Sequence, residues 1–463
     1  MPLIRNSGSF RDNRGNIYEN DSKIYRSITA EGKSQYEFIR DSKIIEKSTK
    51  NGFLITTHEV DKKILNIQDD NIAYVVEHKR IPFISYPYEW SFEQLKEAAL
   101  LHLNFHIYLL KKNFTLRDAS AYNIQFIGSQ PIFIDLLSID KYKENEFWYG
   151  YKQFCMQFLN PLLLRSKVGV YHNDYFRGTL EGITSYDLSR MLSYKKFLSL
   201  NLFSHVYLHA RAHKLENVKK TKSQKKIKSK LSKRAYLAIL EQLERWISNL
   251  KPVKKDLTIW EKYSSNNTYT NNEKKIKSQV IFDFCKKIKP DVLIDLGCND
   301  GEYSEIAING GAKYVIGYDF DQKAIDNAFQ KSKKQKLPFL SLYLDASNPS
   351  PSIGWNQNER YGFKQRNIAD AVLALAFEHH LVIGKNIIMS ECLEWITSIS
   401  NLGIIEFVQK NDPTIKEMLN YREDIFQNYN EDNFSNFLSS KAKIINVTQT
   451  NEHGRKLFEF KKI

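Results

Sequence analysis

The residues best suited to chemistry lie in the second half of this 463-residue chain. Asp295 sits near the end of the apolar run Val292-Leu-Ile-Asp-Leu and precedes Gly297 and Gly301, which open a helical stretch. Gly297 permits a tight turn and close approach of a ligand to the backbone, and Asn299 between the glycines tolerates left-handed angles. An acid at that strand end suits an ammonium group, which favours a ligand bearing an amino acid over one bearing a pyrophosphate. Asp319 ends the next strand, 22 positions after Gly297, where a carboxylate can take both hydroxyls of a ribose. Asp345, followed by Ala346, closes a third run at the place of an acid facing an adenine amino group. After a fourth run come His379 and His380, imidazoles that could act as general base toward a hydroxyl or amine. A separate set, Asp118, Asn123 and Asp135, is spaced by five and twelve residues. Those types suit orientation of a hydroxyl and magnesium on a nucleotide's phosphates.

The elements that must position these groups can be read from periodicity. From residue 291 onward apolar runs alternate with helical stretches: runs at 292–296, 314–319, 339–344, 371–375 and 403–408, with helices near 302–309 and 322–331. Such alternation predicts a parallel, doubly wound sheet covered on both faces. The runs at 444–447 and 456–460 read as an antiparallel hairpin at its edge. Earlier in the chain, 91–111 reads as a long helix and Ile124-Gln-Phe-Ile with Pro131-Ile-Phe-Ile as a short hairpin around Gly-Ser-Gln. The stretch 235–247 repeats its apolar residues every three or four positions, an amphipathic helix.

Asp295 to Gly301, with Asp319 and Asp345, resembles the glycine motif and strand-end acids of class I S-adenosylmethionine-dependent methyltransferases, Asn299 replacing the middle glycine. The resemblance implies a Rossmann-like, seven-stranded sheet, S-adenosylmethionine as cofactor, and no metal in that domain. Phe83-Ile-Ser-Tyr-Pro-Tyr-Glu-Trp, Arg117-Asp-Ala-Ser-Ala-Tyr-Asn, Ala374-Leu-Ala-Phe-Glu-His-His-Leu and Ile405-Glu-Phe-Val resemble, almost end to end, a bacterial methyltransferase family related to a nodulation protein. Asp118, Asn123 and Asp135 resemble the catalytic set of protein kinases and aminoglycoside phosphotransferases, which implies an α+β kinase-like first domain and a site for Mg-ATP. The stretch from Gly8 to Gly15 makes a poor glycine-rich loop, and Leu137 stands where a kinase has a glycine.

Composition sets the frame. The length calls for more than one core, and 42% hydrophobic with 13% aromatic residues supplies them. The four cysteines have no metal-ligand spacing, which speaks against a disulfide framework or zinc site. No run approaches a bilayer span and the start lacks a signal-peptide core, so a cytoplasmic location is expected. The net charge of +15 is concentrated: residues 214–234 hold ten Lys or Arg and one acid. This segment reads as a solvated linker, with anionic-membrane contact as its alternative use. Nucleic acid is not the expected partner, because aromatic and basic residues do not interleave there. The expected division is 1–213 as a kinase-like accessory domain, 214–258 as basic linker and helix, and 259–463 as the methyltransferase domain. Trp260, Tyr263 and Tyr269 are lid candidates, while Glu406 and Arg422 either orient an acceptor or pair on the surface. Three functions compete: methyl transfer to a small-molecule or glycan-related acceptor, a bifunctional kinase and methyltransferase acting on surface polysaccharide, and RNA binding or methylation.

Overall fold

The computed structural model describes residues 3–463 apart from 21, 68, 194–195, 197–198, 212–229, 254–270, 421 and 453. Most of the basic segment and the lid candidates Trp260, Tyr263 and Tyr269 therefore lie outside the described residues. The chain forms two compact units, one of Met1–Ile127, Pro131–Lys255 and Ser352–Arg360, the other of Gly128–Gln130, Asp256–Pro351 and Tyr361–Ile463. Helix Lys233–Ser248 thus belongs to the first unit, and a nine-residue stretch far along the chain does as well.

In the first unit, β1 (Ile4–Arg5), β2 (Ile17–Glu19), β3 (Ile24–Thr29), β4 (Thr57–Val60) and β5 (Ile72–His78) form an antiparallel sheet in the order β1-β2-β3-β5-β4. Helix Phe92–Lys111 begins at a capping box: Ser91 Oγ accepts from the Gln94 N–H, and the Gln94 side chain accepts from the Ser91 N–H. It buries Leu95, Ala98, Leu103, Phe105 and Leu109, a face at helical spacing, each large side chain contributing roughly 1.5–3 kcal/mol. Strands β6 (Phe114–Leu116) and β9 (Ile139–Lys141) pair across the expected hairpin of β7 (Ile124–Ile127) and β8 (Gln130–Phe133). Asp118, Asn123 and Asp135 all lie between β6 and β9.

The second unit holds the predicted sheet. Strands β10 (Val292–Leu296), β11 (Tyr314–Asp319), β12 (Phe339–Tyr343), β13 (Ala371–Ala374) and β14 (Leu402–Phe407) are parallel, while β15 (Ala442–Gln449) and β16 (Lys456–Lys462) form the edge hairpin. The order is β12-β11-β10-β13-β14-β16-β15, so strand order reverses between β10 and β13. Ligands of open α/β sheets bind at such a switch point, beyond the carboxyl ends of the strands. Leu293, Val315, Phe339, Leu373 and Ile404 lie in one buried cluster together with Ile281, Ala307 and Ile325 of flanking helices. No described helix is long and apolar enough to cross a membrane.

Candidate functional site

The glycine turn after β10 has the backbone that its residues predict. Gly297, Asn299 and Gly301 have φ of 74, 50 and 80°, all left-handed, and Asn299 fills the middle position as the residue type best able to do so without glycine. The Gly297 and Cys298 N–H groups donate to Tyr318 O at 2.8 and 3.0 Å, tying the turn to β11. A Cβ at Gly301 would lie 2.5 Å from the Phe339 ring, so only glycine lets helix Glu302–Gly310 start there.

Asp295 is almost fully buried and accepts a 2.6 Å hydrogen bond from Ser304 Oγ. Burial, assisted by the nearby charge of Asp319, pushes its carboxyl up to about 7. Asp319 accepts from the Asn299 N–H at 2.9 Å and the Asp321 N–H at 2.8 Å, yet burial still pushes it up to about 6. Neither acid has an ion-pair partner among the described residues. Asp345 accepts from the Ser347 N–H and hydroxyl at 3.0 and 2.6 Å, with Ala346 between them. The structure therefore brings Asp295, Asp319 and the turn together, with Asp345 two residues past β12, the strand beside β11. Two acids that raise each other's charge cost and have no ion-pair partner among the described residues suit a positively charged ligand, and the open glycine backbone gives it access, so these residues fit S-adenosylmethionine.

His379 and His380 open helix Glu378–Lys385 after β13, their ring centroids 4.2 Å apart. His379 is buried and His380 half-buried. Burial, with His380, Arg455 and Lys277 nearby, holds His379 well below the usual imidazole range, and burial beside Arg455 lowers His380 to about 4. Both rings are neutral at physiological pH. Glu378 is fully buried, accepts from Tyr429 Oη at 2.6 Å and is pushed by desolvation up to about 8, which makes it a neutral acid at pH 7.

Glu406 departs from the surface pairing read from sequence. It is wholly buried and paired with Lys277 Nζ at 2.7 Å, while Arg455 makes a bidentate pair with Asp412 at 2.6 and 2.9 Å. Arg422 instead donates to Ile383 O and Asn386 Oδ1. Sequence reasoning also missed Gly317, where a Cβ would lie 2.6 Å from Phe339 and 2.7 Å from Cys298 Sγ. A lone glycine inside a strand was the available signal. It missed Ala376 as well, whose φ of 46° costs roughly 1–2 kcal/mol for a residue with a Cβ and re-aims the chain ahead of the two histidines.

In the first unit the structure also brings its predicted trio together. Asn123 Nδ2 donates to Asp118 Oδ2 at 2.9 Å and to Asp135 Oδ2 at 3.4 Å. Burial and the charge of Asp135 raise Asp118 above the usual carboxylate range. The metal's place is taken, however: Arg26 of β3 donates to Asp135 Oδ1 and to Asp12 Oδ2, both at 2.6 Å. No group of three or more His, Cys, Asp or Glu with metal-ligand geometry occurs among the described residues. These residues do not fit Mg-ATP.

No family model matches the chain. About 42% of it overlays 97% of the N-methyltransferase NodS from Bradyrhizobium japonicum WM9, at a TM-score of 0.32 and 12% identity. About 48% overlays 95% of the magnesium protoporphyrin IX methyltransferase ChlM from Synechocystis PCC 6803, at a TM-score of 0.30 and 16% identity. Sequence similarity reaches much further. The chain is 43% identical over 462 residues to nodulation protein NoeA of Rhizobium meliloti (strain 1021), spanning 99% of this chain and 96% of that protein, and it belongs to the NoeA family.

Proposed function

We propose that the chain is an S-adenosylmethionine-dependent methyltransferase acting on a hydroxyl or amine of a small-molecule or glycan-related acceptor. The observation that carries this is the pair of acids at the switch point, Asp295 buried and Asp319 half-buried, beside a left-handed glycine turn and without an ion-pair partner among the described residues. The cofactor supplies a methyl group on a cationic sulfur, which an acceptor displaces in line. Asp295 holds the ammonium of its methionine moiety, Asp319 the ribose hydroxyls, and Asp345 with Ala346 the adenine edge. In this reading His379 and His380, clustered beyond β13, take a proton from the acceptor, and alignment with exclusion of water provides the rest of the acceleration.

The order of strands in the first unit, β1-β2-β3-β5-β4 with two helices between β3 and β4, supports a kinase-like fold for that unit, without phosphotransfer. Calorimetric titration with S-adenosylmethionine tests the central reading. Wild type should bind with micromolar affinity and Asp319→Ala about ten- to a hundredfold more weakly, and incubation with cell extract followed by mass spectrometry should reveal the methylated acceptor. Absence of binding by wild type at millimolar cofactor would refute it.

A further inference from the structure

The nine residues Ser352–Arg360 interrupt the second unit's sequence between β12 and β13, yet they count with the first unit. There they are held by many specific contacts. Glu359, its side chain only 3% exposed, takes a bidentate pair from Arg11 at 2.6 and 2.8 Å and accepts from the Trp355 N–H at 3.0 Å. Ser7 Oγ donates to Asn358 O, and the Ile353 and Arg360 backbones bridge to close the stretch into a small hairpin. Ile353 packs on the buried cluster Tyr86, Tyr88, Tyr122 and Phe176, and the Arg360 guanidinium lies 4.6 Å from the Tyr122 ring centre. At Gly8 any Cβ would lie 2.6 Å from Glu359 O, so the strap and the turn Ser7–Arg11 touch backbone to backbone.

That turn joins β1 to β2, the place where a kinase has its flexible glycine-rich loop over the phosphates. Here the loop is pinned from both sides. The strap holds Arg11 and Gly8. Asp12 sends its carboxylate inward to Arg26, while Arg14 donates to Leu137 O at 3.0 Å and to Gln35 at 2.9 Å. Arg26, on the strand that supplies a kinase's phosphate-binding lysine, thus has a resident anion in Asp12 and a second in Asp135. The cation on that strand and the aspartate at the metal's place are thus matched to each other inside the protein.

We propose that the first unit takes the chain's own strap Ser352–Arg360 as its ligand in place of a nucleotide, and that its role is to anchor the long connection between β12 and β13. That connection, residues 344–370, is 27 residues with no strand and one short helical turn, a length uncommon in a compact domain unless something restrains it. It begins with Leu344 and Asp345, at the carboxyl end of a strand of the cofactor sheet. Docking the strap shortens the free span and lowers the entropy lost when Asp345 and its neighbours order around a cofactor. This last step rests on the methyltransferase reading.

The test uses the full chain. Hydrogen exchange of the peptide covering 352–360 and the dissociation constant for S-adenosylmethionine are measured in wild type, Arg11→Ala, and the charge swap Arg11→Glu with Glu359→Arg. Mg-ATP binding is titrated to millimolar concentration alongside. Expected are faster strap exchange and about fivefold or greater loss of cofactor affinity in Arg11→Ala, restoration of both by the swap, and no Mg-ATP binding by wild type. A released strap with unchanged cofactor affinity overturns the anchor, as does a strap that stays protected in Arg11→Ala. Binding of Mg-ATP by wild type overturns the self-liganded site. Failure of wild type to bind S-adenosylmethionine is failure of the methyltransferase reading instead, and it is distinguishable because exchange and nucleotide titration do not use that cofactor.

Discussion

Two clusters of aspartates, one in each unit, are built from the same residue type and carry opposite electrostatics. Asp12 and Asp135 share the guanidinium of Arg26 at 2.6 Å, and Asp12 stays below the ordinary carboxylate range because Arg14 and Arg26 outweigh its burial. Asp295 and Asp319 take neutral donors among the described residues, Ser304 Oγ and the backbone N–H groups of Asn299, Phe320 and Asp321, and both are raised. A carboxylate whose charge is satisfied within the fold adds to the fold. One left with its charge unmatched costs stability and can recover that cost from a cationic ligand. Acid-rich motifs of similar appearance in sequence thus separate into structure and site by their partners.

The largest effect expected from this contrast is in the first cluster. Arg26→Met leaves Asp135 without its ion-pair partner and Asp12 with Arg14 alone, and breaking a buried pair costs about 3–5 kcal/mol, an upper bound here because Asp12 is partly exposed. Denaturant unfolding followed by tryptophan fluorescence should show the loss in the first unit. Cofactor binding to the folded remainder should fall only as far as the strap is released. If Arg26→Met were as stable as wild type, the cluster would not be the self-satisfied element described.

Next in size is the loss of a charged contact in the second cluster. Asp319→Ala should weaken S-adenosylmethionine binding by about ten- to a hundredfold, the worth of hydrogen bonds to a charged group, while Asp135→Ala should leave it nearly unchanged. Titration calorimetry on both variants reads the difference. Equal losses would mean that the two clusters do not divide as argued.

The distinction between the clusters was only half legible in sequence. The strands of the second unit were readable because β10, β11, β12 and β13 are buried apolar runs of four to six residues that end in or are soon followed by an acid or the histidine pair. The turn conformation followed from Gly297, Asn299 and Gly301 alone. Partners were not readable, because they come from distant positions: Glu359 is 348 residues from Arg11, Asp135 is 109 from Arg26, and Glu406 is 129 from Lys277. The sequence left Glu406 open between orienting an acceptor and pairing on the surface, because nothing in Ile-Ile-Glu-Phe announces a lysine from helix Asn271–Ile288 arriving beneath it. The strap Ser352–Arg360, polar and without periodicity, has no local signature, since its order comes from the surface that receives it.

The smallest effect is the sharpest separation of stability from binding, and it concerns Asp295 and pH. Its folded-state value of about 7 lies above the ordinary 3.8, so the folded protein holds this proton more tightly than the unfolded chain. Stability from this group is therefore greatest in acid, falls as pH rises from about 4 towards 7, and levels off above that. Asp295→Asn removes this dependence, and its melting temperature relative to wild type should climb between pH 5 and pH 8, to an advantage of about 1 kcal/mol or more at the alkaline end. Binding runs the other way. An ammonium needs the ionised carboxylate, so wild-type affinity for S-adenosylmethionine should drop about fivefold from pH 7 to pH 6, a slope absent in Asp295→Asn, which binds weakly throughout. Thermal melts and titrations across that range read the two slopes on the same samples. Slopes of the same sign would mean that the charge of Asp295 is matched by the protein itself, as in the first cluster, and that the ammonium is held elsewhere.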